Sequence, residues 1–334
     1  MKICSRCILP ETFPRIQFDR EGVCNYCLKE ERILAESSAR KGKYRERLDE
    51  LIGGLKGKAP VYDVIMAYSG GKDSSYTLKL LKERYNLRIL ALTFDNHFVS
   101  DTAWSNIKVV TDTLNVDLIT VRPPWPLVKA LFTITAREDI FPAPTLIRAS
   151  SICTACIGMV KGLVLRTALE VSIPMAAFGW SPGQAPIQSA IMKTNPEMAR
   201  QNQKVWQTAV NEKVAAEVSR YIVPEEYFVS YSDRFPHNIH PLAFFDYEEE
   251  KVKRELESIK WKPPLDTDSN SSNCLLNAYA NRCHLERHGF HPYVWEIANM
   301  VRQGVMSRKE GIEKIYIGQD QKMVDYAKAR LGIQ

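Results

Sequence analysis

The stretch Val61-Tyr62-Asp63-Val64-Ile65-Met66-Ala67-Tyr68-Ser69-Gly70-Gly71-Lys72-Asp73-Ser74-Ser75, continued by Tyr76-Thr77-Leu78-Lys79-Leu80-Leu81-Lys82, decides how this chain folds. Its first half reads as a buried strand, and its last part has apolar residues at helical spacing. The two glycines fall between them. Strand, glycine turn and helix together point several backbone N–H groups and a helix N-terminus at one anion. Gly70 and Gly71 let the backbone turn tightly and approach that anion without a Cβ in the way. Lys72 adds a point charge, and Ser69, Ser74 and Ser75 add hydroxyl donors. The spacing excludes two other phosphate loops, since neither G-x-x-x-x-G-K-[ST] nor G-x-G-x-x-G is present. The alternative is an ordinary glycine turn that caps a helix.

Outward from this stretch the pattern alternates. Residues 88–95 predict a second strand, 102–115 a helix, 117–121 a third strand, 125–137 and 157–170 two helices, and 174–179 a fourth strand. The expected fold class is therefore α/β, a doubly wound and mostly parallel sheet with helices on both faces. Ligands of such sheets sit at the carboxyl ends of the strands. That brings Ser69–Ser75, Thr93–Asn96, Arg122 and Gly179–Gln184 to one rim. Asp95 reads equally as a ligand contact or as a turn and capping residue.

Six of the eight cysteines fall in C-x2-C pairs, Cys4/Cys7, Cys24/Cys27 and Cys153/Cys156. The first two pairs give C-x2-C-x16-C-x2-C, the spacing of a four-thiolate Zn2+ site, here structural. So small a segment cannot build a core, so a metal would supply its folding energy. Cys153 and Cys156 lie inside the α/β core, and Cys274 stands alone in a polar stretch. A third thiolate meeting such a pair can hold a [4Fe–4S] cluster with one iron open. A persulfide or redox couple, or small buried cysteines at a helix start, are the other readings. Cys283, His284, His288 and His291 read as a helix face with solvated histidines rather than a metal cluster.

The chain has 334 residues, 45% hydrophobic and 25% charged, which fits a globular protein of two or three units. The division expected is 1–30 zinc ribbon, 31–58 charged helical linker, 59–185 core, and 186–334 a mainly helical substrate-binding and C-terminal region. No uninterrupted apolar run reaches about 18 residues, so no membrane span is indicated. The N-terminus lacks a signal-peptide h-region, and a cytoplasmic location is expected. The formal charge of +6 fits a nucleotide or other anionic substrate and allows RNA.

Ser69-Gly70-Gly71-Lys72-Asp73-Ser74 resembles the PP-loop of the ATP pyrophosphatases, which split ATP into AMP and pyrophosphate. The resemblance implies ATP and Mg2+ as cofactors. Ser69, Gly70, Gly71, Lys72, Ser74 and Ser75 would hold the pyrophosphate, with Lys72 stabilising its developing charge and Asp73 assisting the metal ion. Thr93, Phe94, Asp95 and Gly179 would line the nucleotide. Catalytic roles are expected of Lys72, Asp73, Cys153, Cys156 and Cys274.

Cys4-x2-Cys7-x2-Pro10 with Phe18-Asp19-x2-Gly22-Val23-Cys24-x2-Cys27 resembles the opening of the N-acetyl sugar amidotransferases, over roughly residues 1–185. This implies adenylation of an amide oxygen and its replacement by nitrogen, with a sugar or other amide-bearing substrate and a separate glutaminase subunit as partners. The order zinc ribbon, SGGKDS, mid-core C-x2-C and later lone cysteine is also similar to the iron–sulfur-dependent tRNA thiolation enzymes. There, the residues matching Cys153, Cys156 and Cys274 hold the cluster, and tRNA is the acceptor. Gly179-Trp180-Ser181-Pro182-Gly183-Gln184 departs from the acidic pair usual in that group. A non-enzymatic ATP-binding module is a third reading, and a homodimer is left open as the assembly.

Overall fold

The computed structural model describes residues 1–35, 37–211, 214, 216–268 and 270–334. In chain order its elements are α1 (Asn25–Ala35), α2 (Ser37–Leu55), β1 (Val64–Ala67), α3 (Lys72–Lys79), β2 (Ile89–Phe94), α4 (Asp101–Leu114), β3 (Asp117–Val121), α5 (Trp125–Arg137), α6 (Ala143–Leu146), α7 (Ser151–Val171) and β4 (Met175–Phe178). They continue with β5 (Ile191–Lys193), α8 (Pro196–Asn211), α9 (Tyr227–Ser230), β6 (His237–Ile239), α10 (Glu249–Glu257), α11 (Asn277–His288), α12 (Val294–Arg302), α13 (Arg308–Tyr316) and α14 (Gln321–Leu331).

The sheet has six strands in the order β3-β2-β1-β4-β6-β5. The first five run parallel and β5 pairs antiparallel with β6. Period-two alternation sends the strand side chains to two cores. Val64, Met66, Ala91, Met175 and Ala177 join one apolar cluster with Leu78 and Ile107 of α3 and α4. Ile65, Leu90, Leu92, Ala176 and Phe178 join the other, with Leu131 of α5 and Ala155 of α7. Ile65 and Met66 are fully buried, and each such side chain contributes roughly 1.5–3 kcal/mol by leaving water. The structure is thus the doubly wound α/β fold expected. Strands β5 and β6 lie in the region read as mainly helical; each is three residues long, too short for periodicity to reveal.

Helix α7 starts six residues earlier than its apolar pattern suggests, because the Ser150 hydroxyl caps it by accepting from the Cys153 N–H at 3.1 Å. Cys153 and Cys156 therefore sit in its opening turns. By length and composition alone α7 could cross a membrane. Here it packs against β1, β4, α5, α8 and α11 as a core helix.

The N-terminal ribbon does not stand apart. Cys4, Ile8, Leu9 and Phe13 belong to the same cluster as Met66 and Leu78. Phe13 stacks on Trp295 at 5.5 Å and meets Phe290 edge-on at 5.2 Å. Arg308, in the first turn of α13, donates to the carbonyls of Cys4 and Cys7 at 2.9 Å each. The Ser307–Glu310 capping box that starts α13 fixes this arginine's place.

Candidate functional site

The turn after β1 leaves the sheet at its carboxyl edge. Gly70 has φ of +73°, and a Cβ there would lie 2.5 Å from the Ala103 carbonyl, so a side chain is excluded twice over. Its own carbonyl accepts from the Trp261 indole at 2.9 Å. The Ser74 hydroxyl donates to the Gly71 carbonyl at 3.0 Å and lies 3.1 Å from the Ser69 hydroxyl. Ser75 is buried against the Tyr68 hydroxyl at 3.1 Å. At Gly179 a Cβ would stand 2.4 Å from Ser74 Cα, so the end of β4 lies flush against the start of α3. The Thr93 hydroxyl donates to the Tyr68 carbonyl at 2.8 Å. The loop, the end of β2 and the end of β4 thus meet at one rim, as the sequence predicts.

Both charged residues of the loop are already engaged. Lys72 Nζ is 3.2 Å from Glu249 and 3.9 Å from Asp73. Asp73 accepts a 2.5 Å hydrogen bond from the Tyr247 hydroxyl. Burial would raise the Glu249 carboxyl, but Lys72 and Lys314 hold it down to about 2. The loop therefore carries a charge network whose members are Tyr247 just before α10, Glu249 at its start and Lys314 of α13, and sequence reasoning missed all three. Acidic residues clustered at a helix start were the available signal. The first helical amide, Lys72 N–H, donates to the Ser272 hydroxyl at 3.1 Å. That hydroxyl stands in the position an anion oxygen takes at a helix N-terminus.

Asp95 serves its own turn. It accepts from the His97 N–H at 2.8 Å and pairs with Arg122 at 3.2 Å. Phe94 is buried in the α5–α7 core.

The segment carrying Ser272 also delivers Cys274. Ser100 N–H donates to the Asn273 carbonyl and Leu275 N–H to the Phe98 carbonyl, at 2.9 and 2.8 Å. This clamps Cys274 beside Val99. The Asn96 side-chain amide reaches Cys274 Sγ at 3.6 Å and Cys156 Sγ at 3.8 Å. Asn96, which no motif marks, thus ties two cysteines together. Cys153, Cys156 and Cys274 feel one another electrostatically. Burial, added to by Cys274, pushes the Cys153 thiol up to about 11, and burial raises Cys156 and Cys274 too. Unassisted, the three stay protonated at neutral pH, whereas a soft metal centre would draw them as thiolates. Three half-buried cysteines from two segments, with no fourth cysteine beside them among the described residues, fit the three-ligand set of a cluster with one open iron.

At the ribbon the fit is to zinc. All four Sγ atoms are buried and lie within 4.8 Å of one another. Cys4–Cys27 and Cys7–Cys24 are each 3.8 Å apart, and tetrahedral Zn–S bonds of about 2.3 Å demand an S–S edge of about 3.8 Å.

The histidines after Cys283 behave differently from expectation. His284 and His291 are buried rather than solvated, because α11 ends against Phe290 and the ribbon.

No family model matches this chain. An uncharacterized protein of Methanocaldococcus jannaschii is 24% identical over 315 residues, covering 93% of this chain and 92% of the relative. Among solved structures, the U34-tRNA thiolase NcsA of Methanococcus maripaludis, with its [4Fe–4S] cluster, overlays with a TM-score of 0.37 at 18% identity. It covers 91% of this chain and 86% of its own. A predicted tRNA methyltransferase subunit of Methanocaldococcus jannaschii gives 0.30 at 16% identity, over 70% of this chain and 91% of its own. Overlaps this loose do not decide chemistry, which rests on the residues above.

Proposed function

We propose that this chain is an AMP-forming ATP pyrophosphatase that activates an acceptor oxygen at the loop Ser69–Ser75 and replaces it with sulfur at Cys153, Cys156 and Cys274. One observation carries the reading. Cys274, far along the chain, is clamped beside Cys156 by a segment whose Ser272 also touches the loop.

An acceptor carbonyl oxygen would attack the α-phosphorus of ATP, and the bond to the β-phosphate would break to release pyrophosphate. A sulfide nucleophile would then attack the adenylated carbon, and the C–O bond would break with AMP as leaving group. The loop amides and the Ser69 and Ser74 hydroxyls hold the departing pyrophosphate, and Lys72 stabilises its charge. Glu249 and Tyr247 keep Lys72 and Asp73 in place until ATP arrives. Asp73 supplies the carboxylate suited to a hard cation carrying phosphates. A [4Fe–4S] cluster held by the three cysteines would supply an open iron position for sulfide.

Purification without oxygen, followed by iron, zinc and acid-labile sulfide analysis with the visible spectrum, tests the reading. Zinc together with about four iron atoms and matching sulfide is the expected result. Zinc alone would return the three cysteines to a packing or thiol role and favour nitrogen transfer to an amide-bearing sugar.

A further inference from the structure

A cleft of about 1090 Å3 opens between α7, α8 and the segment from β4 to β5, lined by Phe178 and Trp180 on either side of Gly179. Helix α7 forms its floor. Thr154, Ile157, Gly158 and Lys161 follow helical spacing and line the cleft, on the face next to the one bearing Cys153 and Cys156. The charges in it are one-sided: Arg47, Arg148, Lys161 and Lys193 face a single carboxyl, Glu296.

Lys161 is the unusual member. Its side chain lines the cleft and is exposed to solvent. Among the described residues it has no carboxylate and no hydrogen-bond partner. Its ammonium rests instead 4.7 Å from the centre of the Trp180 ring, and His240 stacks on Trp180 at 4.5 Å and 8°. An aromatic ring attracts a cation without neutralising it, so the ammonium presents its charge to the cleft. The cleft mouth supplies the second half of the pattern. Ile157, Met192, Met198 and Val205 are large apolar side chains exposed to solvent, and all four line it. A cationic group and exposed apolar side chains lining one cleft describe an amphipathic partner.

We propose that this cleft binds the acceptor, and that the acceptor is a small molecule with an anionic group seated on Lys161 and an apolar or aromatic body laid against Met192, Met198 and Trp206. Calling the occupant the acceptor rests on the sulfur-transfer reading; the binding chemistry of the cleft does not.

The test uses the whole protein without ATP, so that a failure of ATP cleavage leaves it standing. Calorimetric titration with 1-naphthyl phosphate, 1-naphthoate and uncharged 1-naphthol should show at least one anion binding about tenfold or more tighter than the naphthol. Which anion wins tells phosphate from carboxylate. Lys161→Met should bring the favoured anion down to the level of naphthol, and Lys161→Arg should retain the preference. Equal affinity for anion and naphthol, or no saturable binding by the unmodified protein, would overturn the proposal, whether or not the Met variant folds. So would anion binding lost in Lys72→Ala but kept in Lys161→Met, which would place the anion on the loop. A hexauridylate that displaces the probe at lower concentration than 1-naphthyl phosphate itself would overturn the small-molecule assignment in favour of a polynucleotide.

Discussion

The two cysteine groups of this molecule use the same side chain to opposite ends. At the ribbon, two tight C-x2-C turns place four sulfurs within 4.8 Å, all buried, with backbone N–H groups of Leu9 and Cys24 directed at Cys7 and Cys4. The group is closed: nothing further can reach a metal held there, and Arg308 and Arg302 balance its charge from α12 and α13. In the core, Cys153 and Cys156 lie on a helix and Cys274 on a loop, joined through the Asn96 amide. Among the described residues no fourth cysteine completes that set, and the segment bearing Cys274 touches the loop through Ser272. Saturated coordination suits stability, whereas an incomplete set leaves a position for chemistry.

The sharpest way to break this contrast is Cys4→Ser. Loss of a structural metal removes folding energy on the order of 10 kcal/mol in small zinc domains. We expect zinc loss and a melting temperature lower by about 10 °C or more, read by metal analysis and thermal denaturation. A stable, zinc-loaded variant would break the assignment of the ribbon. Lys72→Ala should lower the melting temperature by a few degrees at most, since Glu249 keeps Lys314 as a partner, while pyrophosphate release falls about 100- to 1000-fold, the usual effect of losing one charge-stabilising donor. Unchanged turnover would remove the anion loop from the reaction.

Cys153→Ala and Cys274→Ala should match each other in activity loss, at least about tenfold, with zinc content intact, since cluster ligands act as a unit. A fully active Cys274 variant would detach that residue from the site and reduce the comparison to one metal centre. Arg302→Ala sharpens the ribbon's side. Its side chain is only 3% exposed and pairs with Glu30 at 2.5 Å over the Trp295 ring. Its removal should cost about 2–4 kcal/mol in chemical denaturation, with activity per folded molecule preserved.

The smallest effect concerns Glu296. Burial, with Asp73 adding to it, raises this carboxyl to about 7 against the bonds from Ser181 and Gln184. A carboxyl raised in the folded state binds more protons there than when unfolded. It therefore costs stability as pH rises from about 4.5 to 7, and that cost stays constant above. Glu296→Gln should remove this dependence and stabilise the protein at pH 8 by about 1–3 kcal/mol, with little change at pH 4.5. Parallel pH–stability curves for the two proteins would show that the carboxyl is not held protonated.

Much of the frame was legible in advance because its signals are local. The apolar run Val64-Ile65-Met66, the Ser69–Ser75 turn and the C-x2-C spacings depend on a few neighbouring residues. Strands β1 to β4 and helices α4 and α5 accordingly fall where periodicity puts them. Short strands β5 and β6 carry too few residues to show a period. The solvated histidines were misread because a helix face shows its polarity in sequence but not the neighbour that covers it, here Phe290 and the ribbon.

The sequence by itself determined the strand, glycine turn and helix around Ser69–Ser75, and a ribbon able to gather four thiols. Backbone sterics and sequence spacing impose both over short distances. Only the tertiary structure decided that Glu249 and Tyr247 hold Lys72 and Asp73, that Asn96 joins Cys156 to Cys274, and that Lys161 lies uncompensated in a cleft. Those facts depend on which distant segments share the carboxyl edge of the sheet, and burial and charge balance across the whole chain set that choice.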